Sequence, residues 1–217
     1  TTEDASGEVL ETKAVVFDEG KIRAAVAAFI GRLEQVPPMY SALKVNGKKL
    51  YELAREGKTV ERKPRPVHFY EIEILDIDFP LVRFRVTCSK GTYIRTLCHD
   101  IGEKLGCGAA METLLRTKVG RFTLDDAITL AQTEEAVRNG EIEQRILGIE
   151  EILAEYPRVC CREEGDRLLA NGNPLVQALV NAEEKDGWIR MCNSDGSFAG
   201  VYQWDEKRDR YFPVKMF

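Results

Sequence analysis

Histidine is scarce in this sequence: His68 and His99 are the only two in 217 residues. Neither lies near an acidic cluster, so no histidine-based metal site is indicated. The six cysteines, Cys88, Cys98, Cys107, Cys160, Cys161 and Cys192, never form a C-x-x-C pair. That excludes the usual zinc spacing, and they read as small, mostly buried hydrophobes kept reduced. Neither a metal nor a cofactor is expected. A run of about 18 apolar residues is also missing, which excludes a membrane-spanning helix. The opening Thr1-Thr2-Glu3-Asp4-Ala5 lacks the basic flank and apolar stretch of a signal peptide. Such a chain is expected in the cytoplasm. Internal repeats and low-complexity tracts are absent as well.

What is present is apolar content of 44%, enough in a chain of this length for one large domain or for a domain with a small appendage. The net charge of -5 hides a division. Residues 40–66 carry 8 basic and 3 acidic side chains, whereas residues 125–217 carry 11 and 19. A basic segment inside an acidic chain is the electrostatic footprint of a polyanion site, and an exposed Lys-rich helix with no partner has the same pattern.

Periodicity predicts a helix from an Asp18 N-cap to about Gln35, with Ile22, Val26, Phe29, Ile30 and Leu33 on one face. Strands are expected over 67–77 and 81–88, turning near Asp78-Phe79-Pro80, with Val82, Phe84, Val86 and Cys88 alternating in the second. A helix follows, carrying Ile94, Leu97, Cys98, Ile101 and Leu105 at helical spacing, with Ser89 or Thr92 as its N-cap. Thr123 and Asp126 suggest a capping box opening a helix to about Gln132, and another helix is expected over about 141–153. Pro157 marks a domain boundary. Beyond it, a short helix ending at Asn171-Gly172 and strands over 188–192, 198–204 and 211–217 form a small β-rich module.

Two stretches carry more than packing requires. In "VPPMYSALKVNGKKLYELAREG", residues 36–57, Tyr40, Lys44, Lys48, Lys49, Tyr51 and Arg55 mix aromatic faces with cations, the combination that stacks splayed bases and pairs their phosphates. In "SKGTYIR", residues 89–95, Gly91 allows close approach of a backbone or ligand, and the free N–H groups of a helix start attract negative charge. Arg95 flanks the apolar face of that helix, where its charge reaches a cleft at the helix start.

Together, PPMYSALKVNGKKLYELAR, the hairpin, CSKGTYIRTLCHDIGEKLGCGA and LLRTKVGRF closely resemble the TruB family of tRNA pseudouridine synthases over residues 1 to about 130. TTEDASGEV is similar to that family's T-D-T-x-D-x-x-G-x-V segment, and the tail resembles its PUA-type RNA-binding domain. The resemblance implies an α+β fold, with part of a mixed, largely antiparallel catalytic domain over 1–154, an RNA-binding insertion at about 36–66, and a PUA-like domain over 155–217. It implies isomerisation of uridine 55 in the T loop of tRNA by base flipping and an aspartate-dependent glycosidic rearrangement, with no cofactor, by a monomer. The alternative is a tRNA-binding or tRNA-folding protein of the same fold without catalysis.

By the same resemblance Arg95 is the motif arginine that pairs with the catalytic aspartate, Lys90, Gly91, Thr92 and Tyr93 shape the pocket wall, and Leu114 packs against the target uracil. Tyr40, Lys44, Lys48, Lys49, Tyr51, Arg55 and Arg116 are the RNA-contact candidates. The family usually reads L-R-R after its apolar contact, and here the residues are Leu114-Leu115-Arg116. The family's G-x-L-D-P-x-A-x-G segment, which holds the nucleophile, does not occur in these residues. Arg95 is therefore expected to be unpaired within them and to serve a carboxylate on another segment, leaving residues 1–217 inactive alone.

Overall fold

The computed structural model describes residues 1–181 and 185–217. They form two units, Thr1–Leu124 and Asp125–Phe217.

In the first unit, α1 (Glu19–Ala27) starts as the sequence indicates: Asp18 Oδ1 accepts a 3.0 Å hydrogen bond from the Lys21 N–H. It ends earlier than its periodicity predicts. Phe29 and Ile30 close a turn onto the carbonyls of Val26 and Ala27, and Gly31, at φ +113°, redirects the chain into β1 (Gly31–Gln35). Leu33, which continues the helical apolar spacing, instead stands opposite Val67 in an antiparallel ladder. Pairing with a long neighbouring strand outweighs weak helical propensity here.

A short hairpin follows, β2 (Lys44–Val45) and β3 (Lys48–Lys49), turned by Asn46-Gly47 with both residues at positive φ. It leads into α2 (Leu50–Arg55). The sheet is completed by β4 (Arg65–Asp78) and β5 (Leu81–Cys88), in the order β1-β4-β5, with the expected turn at Phe79-Pro80. The inward face of β5 is Val82, Phe84, Val86 and Cys88, as its alternation predicts. Then come α3 (Ile94–Leu105) and a small hairpin, β6 (Lys118–Val119) with β7 (Phe122–Thr123). Val26 of α1, Leu97 and Ile101 of α3, and Val67, Phe69 and Ile72 of β4 make the core.

Neither Ser89 nor Thr92 caps α3. The N-cap residue is Tyr93, and the cap is tertiary: the Gln35 side chain accepts from the Tyr93 N–H at 2.9 Å and donates to its carbonyl at 3.0 Å. Ser89 Oγ instead accepts from the His68 N–H at 2.9 Å, and Thr92 Oγ1 donates to the Ser89 carbonyl at 2.8 Å. Both hydroxyls serve the strand-to-helix turn.

In the second unit the expected helix at 123–132 starts later, as α4 (Leu130–Arg138). The capping box is Thr129 with Gln132, and Thr123 is spent in β7. The expected helix at 141–153 is broken: a 3-10 turn at Ile142–Arg145 is separated from α5 (Ile149–Ile152) by Gly148, whose backbone is extended. The module beyond follows its pattern closely: β8 (Arg158–Cys160), α6 (Glu163–Ala170), β9 (Leu175–Val176), β10 (Trp188–Cys192), β11 (Phe198–Asp205) and β12 (Arg210–Met216). Its five strands run in the order β8-β10-β11-β12-β9 around Leu169, Leu175, Ile189, Met191, Tyr202 and Tyr211. Residues before Pro157 belong with this unit because Glu150 of α5 is bound to it. Its carboxylate pairs with Arg158 at 2.7 Å and with Arg190 at 3.7 Å.

Candidate active site

The unusual feature of the first unit is a turn at residues 2–7 that holds a carboxylate against Arg95. Asp4 Oδ1 accepts hydrogen bonds from Thr2 Oγ1 at 2.6 Å, Ser6 Oγ at 2.5 Å and the Ser6 N–H at 3.1 Å. Gly7 makes this turn possible, since a Cβ there would strike Thr2. Glu3 adopts φ +65°, a conformation that costs a non-glycine residue energy and is tolerated where the surroundings dictate it.

Those surroundings belong to α3 and the loop after it. The Glu3 carboxylate accepts from the buried Thr96 hydroxyl at 2.7 Å. Met111 bonds the same segment through the backbone, donating to the Glu3 carbonyl at 3.0 Å and accepting from the Ala5 N–H at 2.9 Å. The loop carrying Met111 can lie this close because α3 has Gly102, where a Cβ would collide with the backbone of Gly108 and Ala109.

Arg95 is the hub. Its Nη1 donates to the Thr2 carbonyl at 3.0 Å and to Asp4 Oδ2 at 3.3 Å, and its Nη2 donates to the Tyr40 carbonyl at 2.7 Å. The expectation of an unpaired Arg95 is thus corrected: these residues supply a carboxylate, on the segment TTEDASGEV, that the sequence alone does not connect to it. The pair is mostly buried, with side chains 21% and 19% exposed. The Ser6 hydroxyl first, then the Thr2 hydroxyl, and Arg95 more weakly, hold the Asp4 carboxyl down to about 2, so it is ionised at neutral pH. A guanidinium has five N–H donors, and Arg95 uses three. Its Nε–H and one Nη2–H have no acceptor among the described residues, which leaves capacity for a further anionic group.

The other pocket candidates occupy the start of the same helix. Tyr93 is its N-cap residue, Thr92 closes the preceding turn, and Lys90 and Gly91 are exposed. Gly91 adopts φ +85°, which favours glycine, and the space a Cβ would fill beside it is open. Leu114, 56% exposed, and Arg116 lie outside any helix or strand and make no hydrogen bond to Arg95.

The basic segment gathers into one patch. Lys44, Lys48 and Lys49 stand on the β2–β3 hairpin, and Tyr51 and Arg55 on α2. Lys49 and Arg55 both lie on Tyr51, 5.4 Å and 5.3 Å from its ring centroid. Lys48 and Lys58 share Glu56, at 3.5 Å and 2.7 Å. Tyr40 meets Arg95 through its carbonyl, so hub and patch are continuous in the chain. The hairpin itself was legible in Asn46-Gly47, a strong two-residue turn signal.

The family described as the TruB family pseudouridylate synthase N-terminal domain matches residues 1–94, and the tRNA pseudouridylate synthase B C-terminal domain matches residues 95–154. The chain belongs to the TruB family of pseudouridylate synthases. Its relatives include tRNA pseudouridine synthase B of Lachnoclostridium phytofermentans, 46% identical over 88% of this chain and 67% of that one. The same-named protein of Burkholderia mallei is 51% identical over 95% and 69%. A solved chain from a Cbf5-Nop10-Gar1 complex superposes with a TM-score of 0.65 at 23% identity, over 95% of this chain and 63% of the other, a likeness of fold. The expected α+β fold is therefore that of a TruB-family protein. Arg95 opens the second of the two matched domains while Asp4 lies in the first, so their ion pair joins the two.

In this TruB-family chain no helix among the described residues is long and apolar enough to cross a membrane. The described residues hold no group of three or more His, Cys, Asp and Glu in metal-binding geometry.

Proposed function

We propose that residues 1–217 carry the RNA-binding surface and the arginine-centred half of an active site that converts uridine 55 in the T loop of tRNA to pseudouridine. The observation that carries this reading is the Arg95 hub, a largely buried guanidinium locked on two carbonyls and Asp4 with donors still to give. The reaction breaks the N-glycosidic bond, turns the uracil, and rejoins carbon 5 to the sugar, and it requires an ionised aspartate at the flipped nucleotide. Arg95 would hold that aspartate ionised and aimed, with Asp4 fixing the guanidinium plane from its other side. Lys90, Gly91, Thr92, Tyr93 and Leu114 would line the base pocket. The patch at Lys44, Lys48, Lys49, Tyr51 and Arg55, and Arg116 apart from it, would grip the T stem-loop backbone. The β-rich module from Pro157 would serve as a PUA-like RNA-binding domain.

Because no G-x-L-D-P-x-A-x-G segment lies within these residues, binding and chemistry should separate. Residues 1–217 should bind a T stem-loop transcript and form no pseudouridine in it. The same residues joined behind that segment from a TruB-family relative should convert uridine 55, scored by carbodiimide labelling. Conversion by residues 1–217 alone would show the nucleophile to be among them. Binding without conversion by the joined protein would favour a tRNA-binding or tRNA-folding role.

A further inference from the structure

The second unit holds a pair of cysteines, one partly exposed and one fully buried, outside its main apolar cluster. Cys160 on β8 and Cys192 on β10 are direct partners in a parallel ladder. Their neighbours Val159 and Met191 point into the core, so by strand alternation the two thiols lie together on the opposite face. Registered neighbours on adjacent strands are about 4.8 Å apart at Cα, inside the range a disulfide spans.

A set of charged groups surrounds them. Arg158 Nη1 lies 3.7 Å from Cys160 Sγ, its Nε donates to Glu150 at 2.7 Å, and its Nη2 donates to the Gly196 carbonyl. Glu150 Oε1 also accepts from the Cys192 thiol at 3.9 Å and pairs with Arg190 at 3.7 Å. Cys160 is partly exposed and Cys192 fully buried. A guanidinium stands beside the accessible sulfur and a carboxylate beside the buried one.

We propose that Cys160 and Cys192 form a peroxide-sensitive thiol pair, with Cys160 as the attacking sulfur and Cys192 as the resolving one. The Cys160 sulfur, beside the Arg158 guanidinium, loses its proton to solvent and attacks one oxygen of hydrogen peroxide. The S–O bond forms as the O–O bond breaks, and the departing hydroxide takes a proton to become water. Cys192 passes its proton to Glu150 and attacks the sulfenic sulfur; the S–S bond forms as the S–O bond breaks, and the leaving hydroxide takes the proton back from Glu150 to become a second water. Two thiols are oxidised by two electrons and one peroxide is reduced. Burial pushes the Cys192 thiol up to about 11, which keeps it from reacting first. Cys161 is excluded as the partner because it faces the core and donates its thiol proton to Asp166 at 3.1 Å.

The test treats the 217-residue chain with hydrogen peroxide, alkylates the remaining thiols, and maps linked peptides by mass spectrometry. The proposal expects a Cys160–Cys192 link reversed by dithiothreitol, while Cys161 stays alkylatable after unfolding. Cys160→Ser should abolish the link. Cys192→Ser should drive Cys160 on to the sulfinic acid. Arg158→Gln should slow thiol loss by about tenfold, because it removes the cation beside the attacking sulfur. A wild type that forms no Cys160–Cys192 link, that accumulates sulfinic acid at Cys160 instead, or that links Cys192 to Cys161, would overturn the proposal. Far-UV circular dichroism of each serine variant shows that the module is folded.

Discussion

Replacing Asp4 by asparagine removes a charge and leaves the size unchanged. Asp4 receives three hydrogen bonds on Oδ1 and Arg95 on Oδ2, and an amide has one oxygen to offer both sides. In either orientation an N–H faces donors. The native carboxyl is lowered from 3.8 to about 2, at about 1.4 kcal/mol per unit. With the side chain 19% exposed, screening reduces the contribution to about 2 kcal/mol. For a chain of this length that corresponds to a melting temperature lower by about 4–8 °C at pH 7. A depressed carboxylate stabilises fully above its unfolded value near 3.8, and that stability is lost as pH falls toward 2. The gap between wild type and Asp4→Asn should therefore be widest at pH 7 and about half as large at pH 3. Thermal melts followed by far-UV circular dichroism at both pH values test this. A gap of the same size at both would refute the assignment of its energy to the ionised carboxylate.

Arg95→Lys keeps the charge and loses the planar fork, so in a protein active in pseudouridine formation turnover should fall by about a hundredfold or more with tRNA affinity nearly kept. Turnover within a few-fold of the parent would contradict the role given to Arg95. Changing Lys44, Lys48 and Lys49 together to alanine should reduce the slope of log affinity against log salt by about two to three for a T stem-loop, at about 0.7–0.9 per phosphate contact. An unchanged slope in a filter-binding titration would put the RNA elsewhere. Gly102→Ala gains helix propensity but drives a methyl group into the Gly108–Ala109 backbone, and should cost about 1–3 kcal/mol in denaturant unfolding. A neutral effect would mean that the loop carrying Met111 does not depend on close approach to α3.

The sequence by itself determined the local features. The Asp18 cap, the alternation of β5, the apolar stripe of α3, the Asn171-Gly172 stop and the strands of the C-terminal module are each marked by a pattern within a few residues, which composition and spacing show directly. The GTYIR motif likewise singled out Arg95 through a resemblance carried by contiguous residues. Tertiary structure decided the rest. Leu33 fits a helical period and a strand equally well, and its ladder with Val67 chose the strand. The helix whose expected cap is Ser89 or Thr92 is capped by Gln35, because a side-chain amide held at the end of β1 satisfies both backbone polar groups of Tyr93 while the hydroxyls are drawn into the neighbouring turn. Asp4 and Arg95 lie 91 residues apart, and no period or motif links them. They meet because Gly102 lets a loop lie close to α3 and Met111 then ties residues 3 and 5 to that loop, a convergence of contacts that exists only once the chain has folded.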